Sequence, residues 1–117
     1  MMFASASQLA QSRPSGTSAV TLYTATMRTE ITSLIVANTS NASAHYSVYH
    51  DDDGTSYAQG TALVYETSLN ANTSTVLYAG NSPGGITVQA GGSIGVKSGT
   101  ASAITYSIYG VTERRGA

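Results

Sequence analysis

Ser102-Ala103-Ile104-Thr105-Tyr106-Ser107-Ile108-Tyr109-Gly110-Val111-Thr112, close to the C-terminus, is the stretch that decides the fold. Ile104, Tyr106 and Ile108 fall on one side of it, and Thr105, Ser107 and Tyr109 on the other. Successive side chains of a β-strand point to opposite faces, so this period of two describes a strand with an apolar face against a core. It is the longest uninterrupted strand signal in the chain. A strand of that length is expected to be paired on both sides, and so to be central in its sheet.

Working back from it, shorter strand signals recur. Residues 19–25 alternate with Val20 and Leu22 inward. Residues 29–38 carry the continuous run Leu34-Ile35-Val36, which fits a strand covered on both faces or one with a bulge. Residues 44–50 place Ala44, Tyr46 and Val48 on one face and His45, Ser47 and Tyr49 on the other. Residues 61–69, 73–79, 86–89 and 93–98 complete the set. Between them lie turn clusters: Asn38 to Ser43, whose side chains bond to local backbone; Asp53-Gly54; and Gly80-Asn81-Ser82-Pro83-Gly84-Gly85. About eight short strands at roughly ten-residue spacing, with no amphipathic helix, predict an all-β protein. The expected architecture is a single antiparallel β-sandwich, jelly-roll or immunoglobulin-like, over residues 19–113. Residues 1–18 read as an extended N-terminal arm and 114–117 as a polar tail. The arm is expected to be mobile in the free protein and to order on assembly through its two hydrophobic anchors, Phe3 and Leu9.

The composition narrows the function classes. With 117 residues the chain suits one domain. Only 9% of residues are charged, against about 25% in an average soluble domain. Ser and Thr exceed a quarter of the chain, giving a polar but nearly uncharged surface suited to contact with partners. The net charge is −1 and the five basic residues are scattered except for Arg114-Arg115, so no phosphate-neutralising face is expected and nucleic acid is not an expected partner. There is no Cys, hence no disulfide or thiolate chemistry. No apolar run is long enough to span a bilayer, and residues 1–7 lack the basic and apolar regions of a secretory signal. The expectation is a protein made in a cytoplasm that stays there unless it is carried out within something larger.

No catalytic constellation stands out. His45 and His50 lie five positions apart on one strand, and so on opposite faces. His50 beside Asp51 and Asp53 could share a cation, yet Asp51-Asp52-Asp53-Gly54-Thr55 lacks the glycine and distal Glu offsets of a calcium loop. There is no Gly-x-Ser-x-Gly elbow, and Glu30, Glu66, Glu113 and the Asp triplet show no pairing pattern for glycoside hydrolysis. The expectation is no enzyme, no metal and no cofactor. Eight Tyr accompany one Phe and no Trp. Tyr49 and Tyr109, on predicted outer faces, are expected with Phe3 and Leu9 to serve as interface residues. Asn38, Asn41 and Asn72 head Asn-x-Ser/Thr sequons that read as by-products of polar turns.

Leu22-Tyr23-Thr24-Ala25, Ile31-Thr32-Ser33-Leu34-Ile35-Val36-Ala37-Asn38-Thr39-Ser40, Ala90-Gly91-Gly92-Ser93-Ile94-Gly95-Val96 and Ile104 to Glu113 follow one another in a characteristic order. That order resembles small β-sandwich virion proteins of tailed bacteriophages, over most of the chain from Val20 to Glu113. It departs at Met27-Arg28, where such proteins more often place a Pro-Gly-type turn. The resemblance implies a structural role in a particle, foremost as a capsid cement (decoration) protein stabilising the shell through protein–protein contacts. Its implied partners are the major capsid protein and further copies of itself, as a homotrimer that would hide edge strands. The alternative is a tail or fibre accessory module that binds host surface carbohydrate through exposed Tyr and loop Asn or Asp.

Overall fold

The computed structural model describes residues 7–79 and 86–112, with the side chains of Tyr78 and Ala79 left aside. Nine strands follow in chain order: β1 (Ser7–Ser12), β2 (Val20–Thr24), β3 (Thr29–Asn38), β4 (Ala44–Asp51), β5 (Ala62–Leu69), β6 (Thr73–Ala79), β7 (Ile86–Val88), β8 (Ser93–Ser98) and β9 (Ile104–Thr112). A single 3-10 turn, Gln59–Thr61, precedes β5. One sheet runs β1-β9-β3-β6, with β7 also paired to β3; the other runs β2-β8-β4-β5.

The two orders follow from one long antiparallel ribbon. Its tip is the β4–β5 connection, and β3 with β6, β2 with β8, and β1 with β9 form its successive rungs. Wrapping the ribbon over a core then adds the pairs β3–β9 and β4–β8. That is the jelly-roll arrangement, one of the ways an all-β chain manages its edges. It decides between the two sandwich types open at the sequence level, and β7 is an extra rung against Thr29–Ile31.

β9 is central, between β1 and β3, and Ile104, Tyr106 and Ile108 are fully buried. Opposite them the core is completed by Leu22, Tyr46, Val48, Ile94 and Val96 from the second sheet. β3 reaches its inner face at Ile31, Leu34 and Val36, a set that no strict alternation would produce. The register against β9 shifts between Ile31 and Ser33, so an extra residue there resets the phase. Gly110 sits at this irregularity, where a Cβ would run into the Glu30 carbonyl oxygen. Ile35 is only half-buried, so the apolar run reflects a displaced bulge, not burial on both faces.

Two placements differ from the sequence reading. Val20, expected inward, is 38% exposed. Val20 pairs with the buried Val96 and so shares its face. It opens an edge strand that has no neighbour on its other side among the described residues, which leaves it accessible. The register shift between Thr21 and Tyr23 makes Leu22 the extra residue there. Ser7–Ser12, within the segment expected as a mobile arm, is the edge strand β1 paired to β9 from Ser7↔Gly110 to Ser12↔Tyr106. Leu9 and Ala10 pack against the core, Pro14 is buried, and the Pro14 carbonyl accepts a hydrogen bond from the Ser102 N–H. Leu9 therefore has its partner within the chain. Phe3 and residues 113–117 lie outside the described residues.

Candidate functional site

Tyr49 was expected to face outward as an interface residue, yet it is 2% exposed. The loop between β4 and β5 folds back over the outer face of its own sheet and lays Tyr57 beside it. The two rings stack with centroids 5.9 Å apart. Tyr57 lies over Gly95, which is the residue paired with Tyr49 across β4 and β8. A Cβ at Gly95 would come within 2.6 Å of the Tyr57 ring, so the glycine is what lets the ring lie flat on the sheet.

Hydroxyls hold that ring in place. Ser93 Oγ donates to the Gly54 carbonyl. Its proton is thereby committed, so Tyr57 donates to Ser93 Oγ at 2.7 Å. The Tyr57 proton is then committed in turn, and Thr21 Oγ1 donates to the Tyr57 hydroxyl at 2.8 Å.

Beside Tyr57, β5 carries a bulge. Thr67 pairs with Tyr46 and Val64 with Val48, leaving Tyr65 and Glu66 opposite Ser47. Glu66 takes up the extra residue with φ of 48°, and its N–H donates to Ser47 Oγ at 2.8 Å. Bulges re-aim side chains, and this one leaves Tyr65 42% exposed. Glu66 Oε2 comes within 3.7 Å of Lys97 Nζ. The result is an open groove of about 770 Å³ over the outer face, walled by Tyr49, Tyr57 and Tyr65 and edged by Thr17, Gln59 and Lys97. A smaller depression continues past Lys97 toward His45, Ser47 and Glu66.

The acidic turn serves the loop itself. Asp51 Oδ2 accepts the Ser56 N–H at 2.7 Å and Oδ1 the Asp53 N–H at 3.3 Å. These bonds, the Ser56 one first, pull its carboxyl below the ordinary range, while the hydrogen bond from Asp53 to Asp51 and the charge beside it push the Asp53 carboxyl up. His50 Nε2 meets Asp52 Oδ1 at 3.2 Å, not Asp51 or Asp53. Asp52 Oδ1 also accepts the Gln89 N–H, which ties the turn to the chain after β7. Among the described residues no three His, Asp or Glu side chains converge as a metal site would require.

The second candidate surface is lateral. Val20, Leu63, Tyr65 and Val76 are the large apolar side chains exposed among the described residues. All four lie on edge strands: β2, β5 and β6. β5 and β6 flank the same side of the sandwich, and Glu66 is the one formal charge on either of them. Natural edges are usually blunted with Lys, Pro or inward charges. β5 has its bulge, and β6 has one at Leu77, where its register against β3 shifts; β6 reads Thr-Ser-Thr-Val-Leu-Tyr-Ala, uncharged throughout. Tyr109, the other Tyr expected at an interface, is half-buried, and its hydroxyl accepts from Gln8 Nε2 of β1 at 3.3 Å.

Sequence reasoning passed over Tyr57, Tyr65 and Lys97. The available signal was Gly95, a glycine inside an otherwise regular strand, which marks a close approach by another group. Compared with protein-family models, curated proteins and solved structures, the chain matches none of them.

Proposed function

We propose that this chain is a structural subunit of a tailed-phage virion, a capsid decoration protein that works by protein–protein contact and not by catalysis. One observation carries the reading: the exposed large apolar side chains among the described residues all sit on edge strands, and one side of the sandwich presents two such edges with a single charge between them. Unpaired strand backbone flanked by apolar side chains is a template for pairing with another chain. Self-association as a trimer would bury it, and contact with the major capsid protein would do the same at the particle surface. The sparse charge of the chain and the order of its strand words support the same reading. By analogy of fold, the jelly roll is an architecture used by viral capsid domains.

The test is to count the protein in purified particles by quantitative mass spectrometry. Hundreds of copies per particle are expected of a decoration protein; a few to a few dozen would place it in a tail, and none would remove it from the virion. Sedimentation of the free protein measures its self-association, which Val76→Lys should weaken.

A further inference from the structure

We infer that the groove on the outer face of the β2-β8-β4-β5 sheet is a binding site for a neutral saccharide. Tyr57 and Tyr65 supply its stacking faces, and Thr17, Gln59 and Lys97 its hydrogen-bonding rim. This inference shares Tyr65 with the edge on which the assembly reading rests, and otherwise draws on the groove and not on the edges.

A pyranose ring presents apolar C–H faces bordered by hydroxyls. Its site needs flat aromatic area with donors and acceptors at the margin, the mixture found here. The volume of about 770 Å³ falls within the range of small-ligand sites and has room for more than one sugar ring. The charge balance selects a neutral ligand. Lys97 and Glu66 stand 3.7 Å apart and offset one another, so neither an anion nor a cation finds an uncompensated partner.

Two features go beyond what packing of the sheet requires. The Tyr57 ring is held by hydroxyl contacts to Thr21 and Ser93 and by its seat on Gly95, so it loses little freedom when a ligand stacks on it. Tyr65 is placed by a bulge that puts Glu66, a residue with a Cβ, in the left-handed region at φ 48°. Backbone of that kind gathers at ligand sites, and here its effect is to leave a large ring exposed on the groove wall.

The experiment is a titration of the full-length, isotope-labelled protein with neutral sugars (glucose, galactose, mannose and oligomers of N-acetylglucosamine), followed by amide chemical shifts. At least one sugar should shift the amides of residues 17–19, 57–60, 65 and 97 in a saturable way. Tyr65→Ala, whose side chain is outside the core, should keep a dispersed spectrum and weaken that binding by about tenfold or more. Gln59→Ala should weaken it as well, and Val76→Ser should leave it unchanged. Absence of any saturable shift up to tens of millimolar sugar would overturn the assignment. So would unaltered affinity in Tyr65→Ala, or a response of these amides to a proline-rich peptide and to no sugar.

Discussion

The Tyr106 hydroxyl on β9 lies 2.9 Å from Ser98 Oγ on β8, so a side chain of one sheet is hydrogen-bonded to the other through the core. The same hydroxyl donates to the Lys97 carbonyl at 2.9 Å, which leaves Ser98 as the donor to it. Tyr106 is fully buried, and its oxygen has both partners it can use. In Tyr106→Phe the ring still fills its space, while the Ser98 hydroxyl and the Lys97 carbonyl lose their partner. Leaving buried groups unsatisfied costs about 1–3 kcal/mol. Urea unfolding should show a lower midpoint with an unchanged slope.

The same burial sets a response to alkali. Desolvation, opposed by the Ser98 hydrogen bond, pushes the Tyr106 phenol up to about 12, against about 10 for a tyrosine in an unfolded chain. The Tyr46 phenol is raised too, also by burial. Between those values the folded state keeps a proton that the unfolded state has released. Stability is therefore full below about pH 10 and falls as pH rises, by up to about 1.4 kcal/mol per pH unit for Tyr106. Unfolding followed at a series of pH values should show this decline, and in Tyr106→Phe it should be shallower.

Ile108 lies at the centre of the same face, fully buried and paired with Leu34 of β3. Ile108→Ala removes core volume that the flanking strands cannot close over, and it should cost about 2–5 kcal/mol. A melting temperature equal to that of the parent protein would show that the site can collapse around the smaller side chain.

Asn38 shows how a turn is locked from inside. Its Nδ2 donates to the carbonyls of Ala42 and Leu69, each at 2.9 Å, and its Oδ1 accepts from the Ser40 N–H and hydroxyl. It is 1% exposed. The β3–β4 turn and the end of β5, in the other sheet, are thus held by one amide. Asn38→Ala strands the buried Leu69 carbonyl and releases the turn contacts at Ser40 and Ala42, and it should cost about 1–3 kcal/mol. Asn38→Asp keeps the acceptors but loses the two donors, so it should not restore stability at neutral pH.

These cases mark what the chain discloses before folding. β9 was legible because its alternation is strict and one face is wholly apolar. Tyr106 and Ile108 could be placed in the core from that alone. Val20 and Tyr49 could not, for two different reasons. Val20 shares the face of its partner Val96, but it begins an edge strand with nothing paired on its other side among the described residues, and edge position is set by the topology. Tyr49 obeys the phase, but a loop eight residues further on covers the outer face. The groove depends on that loop and on the β5 bulge, so it is a product of non-local pairing that spacing does not record. The jelly-roll order was hidden likewise, since β1 and β9 meet only across nearly the whole chain.

Removal of residues 1–18 tests the part of the fold that the sequence least announces. Ser7–Ser12 has a single large apolar side chain, Leu9, and no alternation strong enough to mark a strand. Yet β1 closes one side of β9. Gln8 and Gln11 donate side-chain hydrogen bonds to Tyr109 and Ser107, Leu9 and Ala10 lie against the core, and the Pro14 carbonyl holds the turn before β9 at Ser102. Without β1, one edge of β9 loses its ladder and is left open beside a fully buried face. A detachable arm would leave the sandwich untouched by this deletion. The paired strand instead predicts a loss of about 3 kcal/mol or more, combining the apolar burial of Leu9 with several backbone hydrogen bonds. Residues 19–117 should show a lowered unfolding midpoint and a tendency to associate through the uncovered edge. Circular dichroism, denaturant titration and sedimentation read these out. An unchanged midpoint would mean that β1 rests on the sheet without supporting it.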